Sequence, residues 1–419
     1  MQKVLNKRRM IASPSRRGKK ASSTRTSIMM VFLVFSLVFA GYRLYQFHLF
    51  RQAAEVAAQP AMATIEVPVA PEGAPNDPLF MAQWGLYEES IGWLRAKQVM
   101  DRNFPGGLVP DANSPVIAII DTSFERHEDL GDIRLADGRM YRIQQTGETT
   151  RKVVEAGNAE APDGYGIASM GIAAAAVDNN LGIAGSGFGV VKVMPIGTGL
   201  DTRGIWSAFD FIIEQKERNK AKIAVVSMSL TNPQDVFKEH VEKLKKLGVV
   251  VVVASGNNGH DLGVSPQYSA ASPVENIVAV AELVPGIVLS DSSNYGRGIN
   301  IAAPGGGNFT LGLGNGYVPG GGASLSAPYV SGVLAAGVAL YNCRKREGLS
   351  YDELSAPQLI NLLYSTANTA PSLAGKVQNG RYINVGRFIE AVEKARDDAI
   401  RGNGKNSVPG MYPGRGVSR

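Results

Sequence analysis

The chain has 419 residues, 44 % of them hydrophobic and 19 % charged, an ordinary globular composition long enough for a sizeable core. Its net charge of +6 is lopsided: residues 1–51 hold 11 Lys or Arg and no Asp or Glu, and the remaining 32 basic residues face 37 acidic ones, a net of −5. A mildly acidic body excludes nucleic-acid binding by a basic folded face, and the single cysteine, Cys343, excludes an internal disulfide and reads as a helical core position.

In chain order, a basic head (1–25) precedes the charge-free run Thr26–Tyr42. A membrane-spanning helix needs roughly 17–25 such residues. The pattern predicts an anchor over 26–45, with Arg43 snorkelling at its end. Nine of the eleven early charges lie before the run, so the head stays cytoplasmic and the body lies outside, in the periplasm or extracellular space. The competing reading is a cleaved signal peptide, with Val38 and Ala40 as small residues before a cut. Residues 52–75, rich in Ala, Pro and Val, read as a linker, and the Gly-, Pro- and Arg-rich residues 400–419 as a disordered tail. The folded domain is expected over 76–398.

Within it, short apolar runs alternate with helical patterns. VIAII ends at Asp121, VKVMPIG starts at Val191, and IAVVSMSL spans 223–230. VVVVVAS ends at Ser255, IVAVAEL starts at Ile277 and INIAAPG at Ile299. Such runs suit strands buried on both faces of a parallel sheet. Ile205, Phe209, Ile212 and Ile213 have helical spacing, and a second helix is expected from Pro233 to Gly248. The expectation is an open α/β sheet with helices on both sides, which binds ligands beyond the carboxyl ends of its strands.

Three polar residues stand at such ends. Asp121 closes the first buried run, Asn257 follows the valine run in SGNNG, and Ser324 sits where a glycine-rich loop enters an apolar helix, GGGASLSAPYVSG. Singly these read as caps or turns. Together they resemble the subtilisin-like serine protease (subtilase) family. IIDTSFERHEDL resembles its Asp motif, SMSL its substrate strand, SGNNG its oxyanion motif and GASLSAPYVSG its nucleophile motif. NDPLFMAQWGL from Asn76 resembles its opening segment, and LINLLYSTA with INVGRFIEAV its closing helices, so the likeness covers about 76–396. The resemblance implies a subtilisin-like fold and a polypeptide substrate. It implies Ser324 as nucleophile, Asp121 as orienting carboxylate, and Asn257 with the Ser324 N–H as oxyanion donors.

The same resemblance exposes a departure. The histidine motif HGTHVAG reads YGIASMG here, and six residues before Gly171 stands Tyr165. A phenol with a pKa near 10 is a poor base at neutral pH. Asp163 is close in sequence but precedes the helix. Of the four histidines, His48 is in the membrane head, His127 falls in the HPDL-like HEDL, and His240 is expected on an exposed helix face. His260, three residues after Asn257, is the one that could reach Ser324 from another side. Ser229, Leu230 and Thr231 stand where the family has Ser-Leu-Gly, so Thr231 would crowd the substrate strand. The short stretch 52–75 also leaves no room for the family's folded propeptide. DNNLGIAG from Asp178 resembles the family's calcium loop with one extra residue, making Asn179 a candidate calcium ligand; no cofactor is otherwise required. These features predict a membrane-anchored pseudoprotease that binds peptide or a protein partner. The alternatives are an active endopeptidase with a non-standard base and a structural subunit of an envelope assembly.

Overall fold

The computed structural model describes residues 70–147, 150–157, 163–199, 202–230, 238–264 and 274–402. The anchor expected over 26–45, His48, Thr231 and residues 403–419 lie outside these residues. The expected linker is described from residue 70 only, and Pro75 is already buried there, one residue before the expected domain start.

In chain order, β1 (Val116–Asp121) is followed by a hairpin, β2 (Met140–Gln145) and β3 (Arg151–Ala156). Then come β4 (Lys192–Gly197), β5 (Ile223–Met228), β6 (Val250–Ala254) and β7 (Ile277–Val284). The two-residue β8 (Val288–Leu289) and β9 (Ile301–Pro304) precede a second hairpin, β10 (Asn308–Leu311) and β11 (Tyr317–Gly320). Each of the six expected apolar runs is a strand, and these six pair in parallel in the order β9-β7-β6-β5-β1-β4. All residues of β1, β5, β6 and β9 are buried, which is why their sequences show no polar alternation. The β2–β3 hairpin extends one edge, with β2 parallel to β4.

The helices are α1 (Trp84–Tyr87), α2 (Trp93–Asn103), α3 (Tyr165–Ala174), α4 (Thr202–Glu217) and α5 (Lys238–Lys246), then α6 (Ala323–Asn342), α7 (Ala356–Thr366) and α8 (Val385–Ile400). The four spaced apolar residues of α4 are all buried. Helix α6 packs on β5, β6, β7 and β9 and on α3 and α8. It is long and apolar enough to cross a membrane, yet most of it is buried inside the domain, so it is a core helix. Cys343, just past its end, is buried with its Sγ 3.3 Å from the Arg396 guanidinium, as a core position requires. One expectation is corrected: His240 on α5 is half-buried, its ring tilted on Phe209 and its Nε2 3.2 Å from Asp210.

Candidate active site

Asp121 is the last residue of β1, Ser229 follows β5, Asn257 follows β6, and Ser324 is the second residue of α6. Asp121, Ser229 and Asn257 therefore stand at the carboxyl ends of parallel strands, where such sheets carry their ligands, and Ser324 is joined to them through its carbonyl, which accepts the Ser229 hydroxyl. Tyr165 opens α3, which packs on both β1 and α6.

The serine side is organised by three successive backbone amides. Gly322, at φ 97°, turns the chain into α6, a conformation that glycine adopts without strain. Its N–H donates to Glu282 Oε1 at 2.5 Å. The Ala323 N–H donates to Asn257 Oδ1 at 2.8 Å. Among the described residues the Ser324 N–H donates to no group outside α6. With its oxygen facing Ala323, Asn257 keeps its amide hydrogens for another acceptor. The Ser229 hydroxyl donates to the Ser324 carbonyl at 2.9 Å and so ties the strand β5 to the start of α6. Leu230, expected in the substrate strand, has its side chain in the core at 8 % exposure.

Glu282 was not singled out from the sequence. It is 3 % exposed on β7, with Oε2 accepting from Ser292 and glycines packed around it. A Cβ on Gly306 would stand 2.8 Å from Oε1 and one on Gly305 2.9 Å from Cγ. The run of glycines in PGGG thus makes room for this carboxyl group, and only the tertiary contact reveals it.

The aspartate side is different. Asp121 is 2 % exposed. Its Oδ1 accepts from the Thr122 N–H at 2.8 Å, and its Oδ2 accepts from the Ser169 hydroxyl at 2.8 Å. Burial pushes its pKa up from 3.8 to about 6; the hydrogen bonds from Thr122 and Ser169 oppose the rise, and the nearby Asp163 adds to it. Tyr165, one helical turn before Ser169, is 63 % exposed and makes no hydrogen bond to Asp121. Asp163 points at the loop after β1: its Oδ1 accepts from Thr122 Oγ1 at 2.8 Å, Ser123 Oγ at 3.0 Å and the Tyr165 N–H at 3.2 Å, and so caps the start of α3. Ser169 had a signal in the sequence, as the lone hydroxyl in the apolar stretch IASMGIAAA, four residues after Tyr165 on one helix face.

Among the described residues no histidine hydrogen-bonds Asp121 or Ser324. His127 is 4 % exposed; its Nε2 lies 3.0 Å from the Gly316 carbonyl and its Nδ1 accepts from the Asp129 N–H, a structural role fixed by both nitrogens. His260 is exposed, and its backbone is held by Asn294 and Tyr295 while its ring makes no hydrogen bond.

The close approach of α3 to the Asp121 loop depends on Gly166, where a Cβ would stand 2.1 Å from the Ser123 carbonyl oxygen. Gly166→Ala should therefore destabilise the fold by about 1–3 kcal/mol or more, read as a lower Tm. An unchanged Tm would mean that the loop yields freely.

The calcium expectation turns on the oxygens around Asn179. Asn179 donates its amide to Asp129 Oδ1 at 2.8 Å and accepts the Leu181 N–H on its Oδ1 at 2.9 Å. Asp129 Oδ2 accepts the Ile183 N–H at 2.9 Å. A carboxylate oxygen that accepts one N–H keeps further lone pairs, and Asp77 Oδ1, buried beside this loop, has no partner among the described residues, although no three acidic, His or Cys groups there are grouped to hold a metal.

A mostly parallel sheet flanked by helices, with an aspartate at the end of its first strand and a serine at the mouth of its central buried helix, defines the subtilisin-like class of α/β proteins. The chain belongs to the subtilase family, whose sequence model matches residues 112–398. It is 27 % identical over 323 residues to an extracellular basic protease of Dichelobacter nodosus, covering 67 % of this chain and 51 % of that one. It is 28 % identical over 263 residues to thermitase of Thermoactinomyces vulgaris, covering 62 % and 83 %. A solved protease from Pseudoalteromonas arctica shares the fold at a TM-score of 0.57 and 22 % identity, over 76 % of this chain and 99 % of that one. The chain spans 51 % of the length of each of the first two curated relatives it matches.

Proposed function

We propose that this chain is a membrane-anchored, extracytoplasmic pseudoprotease that binds a polypeptide or protein partner with turnover absent or very slow. The observation that carries the reading is the Asp121 carboxylate: it is engaged by the Ser169 hydroxyl, while the residue at the histidine position, Tyr165, stands out in solvent. Without an imidazole between Asp121 and Ser324, the serine hydroxyl lacks a base. The names of relatives, extracellular proteases among them, favour export and a polypeptide ligand. The charge-free run Thr26–Tyr42 after a basic head favours retention at the membrane. A cleft of this kind can still hold an extended chain, because strand addition uses backbone groups alone. One requirement of hydrolysis, the Asn257 amide hydrogens kept for another acceptor, persists, and it favours a second reading, a slow endopeptidase with an unconventional base.

The test uses the full chain in detergent beside Ser324→Ala. Hydrolysis of an unfolded protein and labelling by a fluorophosphonate are expected to be the same in both. Residual catalysis of about 10³–10⁴ over water from oxyanion donors is the most that a chain without its base retains. Faster, Ser324-dependent turnover would overturn the pseudoprotease and support the second reading.

A further inference from the structure

We propose that β3 is a self-association edge: two copies of this chain pair their β3 strands antiparallel about a two-fold axis through Val153, so that the two sheets join into one. Strand β3 is the last strand of the sheet and among the described residues pairs with β2 alone. An edge strand offers a row of backbone groups to another chain. The register shows which groups those are. The Thr146 N–H donates to the Thr150 carbonyl at 3.0 Å, which makes these two a hydrogen-bonded pair of the β2–β3 hairpin. Hydrogen-bonded and non-hydrogen-bonded pairs alternate along an antiparallel ladder. The pairs Gln145–Arg151, Ile143–Val153 and Tyr141–Glu155 are therefore of the second kind. Arg151, Val153 and Glu155 thus turn their backbone N–H and C=O groups to the outer edge.

A two-fold antiparallel pairing has to centre on one of these three residues, because only outward-turned groups bond across the edge and residues opposite one another share a face. Centring on Arg151 or on Glu155 would set like charges against each other, an unfavourable contact. Centring on Val153 sets that residue against its own copy and Arg151 against Glu155 of the second copy, twice, with about six backbone hydrogen bonds between the strands. Lys152 then faces Val154 and not another lysine. The edge is complementary to itself in this register alone. The packing agrees with it. Tyr141, directly across from Glu155, rests on Phe211 of α4 at 4.8 Å between ring centroids, and Ile143 and Val153 are half-buried on the same side. Two facing Val153 side chains would continue that apolar layer from one copy to the next. Glu155 is exposed and has Arg139 Nε at 3.4 Å, so in the dimer it lies between two guanidinium groups. Arg151 places Nη1 3.4 Å from the Thr150 carbonyl. Its guanidinium carries five donors and takes a further carboxylate without giving up the acceptors it has. Charges on an edge strand often serve to prevent pairing, but such a guard sets like charges together, and this register does the opposite.

Sedimentation equilibrium of the full chain in density-matched detergent tests this. One strand pair is smaller than a standard interface, so the dimer is expected to be weak and concentration-dependent. Arg151→Glu and Glu155→Arg should each weaken it about 10-fold or more, since each sets like charges opposite one another at two places. An equimolar mixture of these two variants should dimerise again, because one edge then carries two acids and the other two bases. Val153→Pro should abolish the dimer and leave the circular dichroism spectrum unchanged, since the N–H it removes points away from β2; if that variant does not fold, the charge variants decide. A wild type that stays monomeric across the micromolar range overturns the proposal. So does a dimer that the charge variants keep, which would come from the expected anchor or another surface. Charge variants that dissociate and whose mixture stays monomeric refute the pairing of Arg151 with Glu155.

Discussion

Tyr165→His should hydrolyse an unfolded protein at least about 100-fold faster than the wild-type chain, the lower end of what a positioned general base contributes. The expectation rests on what is already in place. The Ala323 N–H holds Asn257 Oδ1 and leaves the Asn257 amide hydrogens for another acceptor, in our reading an oxyanion. Ser229 holds the start of α6 to β5. Asp121 is buried at the strand end next to the first turn of α3. What competes with the new imidazole is the Ser169 hydroxyl, which occupies Asp121 Oδ2. Adding Ser169→Val removes that donor without changing the helix greatly, and the double variant should therefore exceed the single one. Rates with a Ser324→Ala control measure both gains. If neither variant exceeds the control, the defect lies elsewhere in the cleft and the missing base is not the limiting departure.

Asp121→Asn should stabilise the protein, and more at pH 8 than at pH 5. The folded-state pKa of Asp121 is raised from 3.8 to about 6 because burial disfavours the charged form. Between those values the folded state binds a proton that the unfolded state has released. The stabilising contribution of that proton is complete below about pH 4 and is lost as pH rises through about 6. Above that, the wild type holds an ionised carboxylate in the core, a penalty of up to about 3 kcal/mol for two pKa units. Asparagine removes the charge and keeps an acceptor for the Thr122 N–H or the Ser169 hydroxyl. In an enzyme that used this carboxylate to orient an imidazole, the same change would lower kcat about 10⁴-fold. Melting curves of both proteins at the two pH values decide: equal shifts at pH 5 and pH 8 would show that the carboxylate does not titrate as its burial implies.

Much of the fold was legible because parallel strands covered on both sides must be apolar throughout. Runs such as Val250–Ala254 leave no other reading once helical spacing has been assigned to Ile205, Phe209, Ile212 and Ile213. The two hairpins were not legible. β3 and β11 contain no fully buried residue and β2 is mostly exposed after its first two, so no apolar rhythm marks them. The single long apolar helix among the described residues is α6, and its composition alone does not distinguish a core position from a membrane span; its neighbours do.

The order of the motifs, and the spacing on which Tyr165 is proposed to stand at the family's histidine position, are readings of the sequence itself, since spacing within one segment survives folding unchanged. Which side chains meet across segments was decided only in three dimensions. Ser169 reaches Asp121 over 48 residues of chain, Asn257 caps Ala323 over 66, and Glu282 holds Gly322 over 40. Lys97 likewise finds Asp178 from another helix. The physical reason is that a parallel sheet brings the ends of strands together in an order set by crossover connections and not by sequence distance. A polar residue therefore declares in the sequence that it needs a partner, and the tertiary structure determines which one it takes.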